Sequence, residues 1–231
     1  LTPTGDYRFI EGYVSGKTIE MATFDGVYNF LIKAEGESDK FTGELLSSTK
    51  TKMVAFRNEE AKLPDSFAQT QVEKISFNFP DAFGKQHSLN DPKYKNKAVI
   101  IQIFGSWCPN CIDEVNFLIP WYKENQKRGV EIVALAFERS FTEDDAKRQL
   151  IRFQKKKNLP YPLLLAGATS DVKPVDKIPS LKNFTAFPTT IFLNKKHEVV
   201  KVHAGFTGPG TGIFFENYKQ EFNRLINTIL K

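Results

Sequence analysis

Between residues 17 and 57 short stretches rich in Thr, Val, Ile and Phe are separated by polar turn residues. This pattern predicts short strands over residues 17–24, 27–34, 40–47 and 52–57. Asp25-Gly26 is a tight hairpin signal between the first two, and residues 35–39, with Gly36 inside, read as a longer polar loop. The expected product is an antiparallel meander. Four strands with one apolar face cannot bury both faces alone, so the sheet is expected to pack on the rest of the chain, on sequence beyond it or on another chain. Residues 58–71, of mixed charge and containing Pro64, read as the linker. A boundary near residue 70 gives an N-terminal β-rich segment, 1–70, and a second domain, 71–231.

From residue 75 strands and helices alternate. Residues 98–104 form a continuous apolar run, as expected of a strand covered on both faces. Residues 111–128 carry Val115, Leu118, Ile119 and Tyr122 at helical spacing and stop at Gly129, before a strand over 130–137. Thr142 is an N-cap for a second helix that opens on Glu143-Asp144-Asp145 and ends on Lys155-Lys156-Lys157, charges that suit the helix dipole. Residues 162–165 predict a short strand, and 166–181 a long surface connection before a brief helix. Residues 189–193 and 198–203 predict a hairpin around 194–197. Residues 213–230 place Phe214, Tyr218, Phe222, Leu225, Ile226 and Ile229 on one helical stripe.

Composition narrows the class. With 231 residues, 41% hydrophobic, 13% aromatic including 21 Phe, and 26% charged, the chain is globular rather than disordered, with room for one or two domains. Lys and Arg total 32 against 27 Asp and Glu, a net charge of +5 with the signs interleaved, which gives nucleic-acid binding little support. No apolar run approaches the ~18 residues of a membrane span. The chain begins at Leu1 rather than Met, so any targeting segment or lipid anchor would be invisible in it, and its absence proves nothing.

Two cysteines build neither a multi-bridge scaffold nor a four-thiolate zinc site, and His87, His197 and His203 show no ligand spacing, so no metal is expected. Covalent haem attachment needs His after the second Cys, where Ile112 stands. A purely structural bridge across so short a loop gains little entropy. Redox chemistry is left. Cys108-Pro109-Asn110-Cys111 lies where the buried strand ends and the helix begins, which puts Cys108 by unpaired backbone N–H groups and the positive dipole end, a place that favours a thiolate. Cys111, one turn on and deeper, is placed to resolve a mixed disulfide. Gly208-Pro209-Gly210-Thr211-Gly212 lacks the Lys-Ser/Thr of a phosphate loop and reads as a loop before the last helix, so no cofactor is expected.

The run Gly105-Ser106-Trp107-Cys108-Pro109-Asn110-Cys111 followed by Glu114 resembles the active site of the TlpA/ResA-like branch of the thioredoxin superfamily. Phe79-Pro80-Asp81-Ala82-Phe83-Gly84-Lys85 is similar to that family's opening hairpin, Phe187-Pro188-Thr189-Thr190-Ile191-Phe192 to its cis-proline strand, and Gly205-Phe206-Thr207-Gly208 precedes its last helix. Residues 75–231 are covered, and the N-terminal segment is similar to the end of a β-domain that precedes this fold in Bacteroidetes-type members.

The resemblance implies an α/β, thioredoxin-like fold, a central mixed sheet flanked by helices, after an N-terminal antiparallel β segment. It implies a thiol-disulfide oxidoreductase with Cys108 attacking and Cys111 resolving, Trp107 covering the pair, Trp107, Pro109, Phe187 and a cis Pro188 meeting substrate, and Glu114 tuning the thiols. The alternative for Glu114 is a helix-face carboxylate in the first turns, favourable to the helix dipole. Asn116 stands where the family often has Pro, and bulky Phe187 narrows the acceptable substrate. The implied partners are protein thiols or disulfides and an upstream electron donor, in an extracytoplasmic place, periplasmic or on the cell envelope. Two alternatives stay open: a peroxiredoxin-like thiol peroxidase, although Gly105 stands where such sites carry Thr or Ser, and a binding or scaffold protein acting through the β-domain. An exposed strand edge in that domain also leaves a homo-oligomer open.

Overall fold

The computed structural model describes residues 10–24, 29–59, 72, 74–182 and 184–231. These residues divide into two compact units, 10–59 and 72–231. The Asp25-Gly26 turn signal and the boundary near residue 70 lie outside the described residues.

The first unit is a single antiparallel sheet of β1 (Glu11–Ser15), β2 (Thr18–Phe24), β3 (Asn29–Glu37), β4 (Lys40–Leu46) and β5 (Lys50–Phe56), paired in that order. The expected meander forms, with β1 as an added strand. The polar loop expected over 35–39 is shorter than that. Gly36 belongs to β3 opposite Phe41, and Ser38 turns the chain at a φ of 47°. A side chain on Gly36 would run into the Lys40 carbonyl oxygen at 2.0 Å, so the glycine is needed for strand contact rather than for a turn. Polar cross-strand contacts line the sheet: Tyr13 donates to Glu20 at 2.7 Å, and Lys33 meets Glu20 at 3.2 Å. Tyr13, Val14, Val54 and Phe56 are exposed.

The second unit opens with a hairpin of β6 (Asn78–Pro80) and β7 (Gln86–Ser88). Its main sheet has the order β10-β9-β8-β11-β12, with β8 (Ala98–Phe104), β9 (Val130–Ser140), β10 (Leu163–Thr169), β11 (Thr189–Leu193) and β12 (Val199–Ala204). β8, β9 and β10 are mutually parallel; β11 runs antiparallel to both β8 and β12. All of β8 is buried, as its unbroken apolar run requires. Helices α1 (Pro109–Asn125), α2 (Glu143–Lys157) and α4 (Ile213–Ile229) supply Leu118, Leu150 and Phe222 to one core with Ile100 and Phe104. The opposite core joins Ile75, Phe77 and Tyr94 to Val99, Ile101 and Ile103, and is completed by Ile178 and Leu181 beyond the short α3 (Pro174–Lys177). This is the mixed, helix-flanked sheet that the resemblance implies.

Two local expectations are corrected. The surface connection expected over 166–181 is shorter: β10 continues to Thr169 beside a longer β9, and Ile178 and Leu181 are buried, while the residues between Thr169 and Ile178 are largely exposed and include the brief helix α3. On α4 the stripe holds for Tyr218, Phe222, Ile226 and Ile229, but Phe214 is 44% exposed and Phe215 packs inward instead. The helix starts at a Gly212 N-cap with φ 57°, and this sets its first turn one position away from the extrapolated stripe.

Candidate active site

The chain leaves β8 for β9 and β10 on one side, then returns to β11 on the other, so β8 is the switch point of the sheet and its C-terminal end opens a crevice. Antiparallel β11 brings its first residue, Thr189, opposite Ile103 near that end. The segment Gly105–Cys108 and the segment Phe187–Pro188 therefore meet. Cys108 is the N-cap of α1 with Pro109 in the first turn, and its sulfur accepts from the Cys111 backbone N–H at 3.4 Å. The Cys108 thiol donates in turn to the Phe187 carbonyl at 3.7 Å, and the Phe187–Pro188 peptide bond is cis.

Both cysteines are free thiols, Cys108 at 6% exposure and Cys111 at 0%. Burial pushes the Cys111 thiol well above its ordinary range, and the neighbouring Cys108 sulfur and the Glu114 charge act in the same sense. The pair is thus asymmetric, with the outer sulfur beside the crevice and the inner one held as a thiol.

Glu114 is 0% exposed and lies beyond the first turn of α1, which holds no acidic residue, so the alternative of a helix-face carboxylate favouring the dipole is corrected. Its two oxygens accept from the Thr190 hydroxyl and the Gln102 amide, each at 2.6 Å, and burial pushes its carboxyl up to about 7 against the pull of these bonds. Gln102 and Thr190 are register partners on β8 and β11, so the sheet itself presents both donors to α1. The sequence reading did not single out either residue. The available signal was Gln102, a polar side chain inside an otherwise apolar buried strand, which needs a buried partner.

Trp107 is held from β9. Its indole N–H donates to the Phe137 carbonyl at 2.9 Å, its ring meets Phe187 edge-on with centroids 5.4 Å apart, and the Arg139 guanidinium lies 3.4 Å from its centroid. The intervening β9 residue, Glu138, is buried and accepts from the Ser106 backbone N–H at 2.9 Å and its hydroxyl at 2.7 Å. Burial raises the Glu138 carboxyl and the two Ser106 bonds oppose the rise. Gln149 of α2 donates to the Ser106 hydroxyl oxygen at 2.6 Å. Ser106, Glu138 and Arg139 were also missed, because contacts between residues near the end of β9 and a loop 32 residues away leave no periodic trace. Among the described residues no cluster of His, Cys, Asp or Glu is arranged to hold a metal.

The Redoxin family matches residues 61–219 of the chain. The chain belongs to the Redoxin family. This member is 26% identical over 161 residues to the thiol-disulfide oxidoreductase ResA of Halalkalibacterium halodurans, a match that covers 70% of the chain and 79% of that protein. It is 29% identical over 130 residues to ResA of Bacillus subtilis, covering 56% and 64%. Among solved structures, a thiol:disulfide interchange protein of the thioredoxin family from Chlorobium tepidum superposes with a TM-score of 0.52 at 21% identity, covering 69% of this chain and 97% of the other. The fold of this Redoxin member is thioredoxin-like, and Cys108, Cys111, Trp107, Phe187 and the cis Pro188 lie together at the crevice.

Proposed function

We propose that this thiol-disulfide oxidoreductase of the thioredoxin superfamily works through Cys108 and Cys111 on thiols and disulfides of partner proteins. One observation carries the reading: Cys108 caps α1 with its sulfur turned to the Phe187 carbonyl at the crevice, while Cys111 is sealed behind it. In the reducing direction the Cys108 thiolate attacks a partner disulfide and forms a mixed disulfide, and the first partner sulfur leaves as a thiolate that takes up a proton. Cys111 then loses its proton and displaces the second partner sulfur, leaving the Cys108–Cys111 bond oxidised and the partner carrying two thiols. The reverse sequence oxidises a dithiol, and the partner potentials decide which runs. Glu114 modulates the resolving step, because its charge opposes a second negative charge on Cys111.

Trp107, Pro109, Phe187 and Pro188 form the rim on which an extended partner segment lies. Disulfides persist in oxidising compartments, which supports an extracytoplasmic place, periplasmic or attached to the cell envelope, with a separate electron donor that re-reduces the pair. No described helix is long and apolar enough to cross a membrane. Residues 1–70 are proposed as a β-rich segment distinct from the redox domain, 71–231. The test is reduction of a protein disulfide driven by a small dithiol. Cys108→Ser abolishes turnover, whereas Cys111→Ser stalls as a mixed disulfide with the partner; full turnover by Cys108→Ser contradicts the assignment.

A further inference from the structure

Beside the cysteine pair lies a groove of about 270 Å³, walled by Trp107, Phe137, Phe184 and Phe187 and bearing Arg139 and Lys173. Phe187 sits at the centre of its aromatic wall, with ring centroids 4.9 Å from Phe184, 5.4 Å from Trp107 and 6.3 Å from Phe137. Two of these residues already touch the chemistry: Trp107 precedes Cys108, and the Phe187 carbonyl receives its thiol. The groove therefore shares Trp107 and Phe187 with the surroundings of the reacting sulfur.

Its charge is one-sided. The Arg139 guanidinium stacks on the Trp107 ring at 3.4 Å, the residue is exposed, and it has no carboxylate partner among the described residues. The carboxylate lining the groove, Glu138, is buried, accepts from both donors of Ser106 and makes no ion pair with Arg139 or Lys173, while burial favours its neutral form. Past Arg139 a second depression of about 480 Å³ carries Arg148 and Arg152, with Asp145 already held by Thr142 and Arg148. Phe141, 99% exposed, stands at this depression. Trp107 adjoins Cys108 in the chain, so a bound segment extended at about 3.3 Å per residue passes from the sulfur into the groove within a few residues.

We propose that the groove selects an acidic polypeptide: an extended segment with an apolar side chain in the aromatic groove and, within about three residues of its cysteine, an Asp or Glu that pairs with Arg139 and Lys173. The proposal rests on the redox reading above and adds the substrate class. Its chemistry is the exchange already written, with the segment's sulfur bonded transiently to Cys108 and released as a thiol when Cys111 closes the protein disulfide.

The test uses three disulfide peptides identical except for flanking Asp-Glu, Ser-Ser or Lys-Lys, with the uncharged dithiodiethanol as a reference disulfide. Each peptide rate is divided by the dithiodiethanol rate of the same protein. For the wild-type chain the acidic peptide is expected to exceed the basic one at least tenfold at low salt, with the ratio shrinking at high salt. In the Arg139→Ala/Lys173→Ala protein the ratio falls toward one. Equal ratios for all three peptides in the wild-type chain, a preference for the basic one, or a preference that survives the double substitution overturns the proposal. Failure of the wild-type chain to reduce dithiodiethanol at all counts instead against the redox reading.

Discussion

The Thr190 hydroxyl donates to the Glu114 carboxylate at 2.6 Å, joining β11 to α1 through a side chain that no water reaches. The Gln102 amide completes the arrangement from β8. Two hydrogen bonds do not compensate a fully buried charge, and the carboxyl is raised from 4.5 to about 7. A raised carboxyl favours the protonated folded state. Its contribution is complete below pH 4.5, where the unfolded chain is also protonated, and is lost as the pH rises to about 7. The loss amounts to about 3 kcal/mol by linkage. Glu114→Gln removes this dependence, so the stability of the variant relative to the wild-type chain rises across that window. Urea unfolding at pH 4, 5.5 and 7.5 measures it, and a difference that stays flat with pH contradicts the burial of the charge.

Gly105 is fixed by its neighbours. A Cβ there would sit 2.3 Å from the Trp107 indole nitrogen and 2.9 Å from the Phe137 carbonyl oxygen, the two atoms whose hydrogen bond holds the indole. Gly105→Ala therefore displaces Trp107 from β9. A red-shifted tryptophan emission and a fall of at least tenfold in protein-disulfide reduction are expected. The same clash closes this position to the Thr or Ser of a peroxidatic site. Unchanged emission and turnover would show that Trp107 is not anchored there.

Phe222 is the hub of the aromatic core, with ring centroids 5.0 Å from Trp121, 5.1 Å from Phe117 and 5.5 Å from Phe192. Phe222→Ala should cost about 3–5 kcal/mol. Phe214→Ala, on the same predicted stripe but half out in solvent, should cost less than about 1 kcal/mol. Equilibrium denaturation of the two variants measures the contrast; similar losses would restore Phe214 to the core.

Elements whose cause is local could be read from the chain itself. The β8 run, the Thr142 cap with its three acids, the Gly129 stop and the hairpin around 194–197 each carry their signal within a few residues. The cysteine pair was legible for the same reason: a cap position and a three-residue spacing set which sulfur is outside. What escaped depends on pairing between distant segments. Gln102 meets Thr190 only because β8 and β11 are adjacent, Glu138 meets Ser106 only where β9 ends, and the depth of Glu114 follows from both. β1 escaped because Tyr13 and Val14, its large apolar side chains, are both exposed and leave no one-sided alternation to read. Gly36 was misplaced because a glycine required for close strand contact looks, in sequence, like one required for a turn.

The division of labour between the two sulfurs is tested most directly by timed alkylation of the fully reduced chain with iodoacetamide near neutral pH, with each site quantified by mass spectrometry. Cys108 should carry the label first and Cys111 should stay unmodified until the fold is opened by denaturant. Labelling of Cys111 ahead of Cys108, or equal labelling of both in the folded protein, would contradict an outer attacking and an inner resolving thiol.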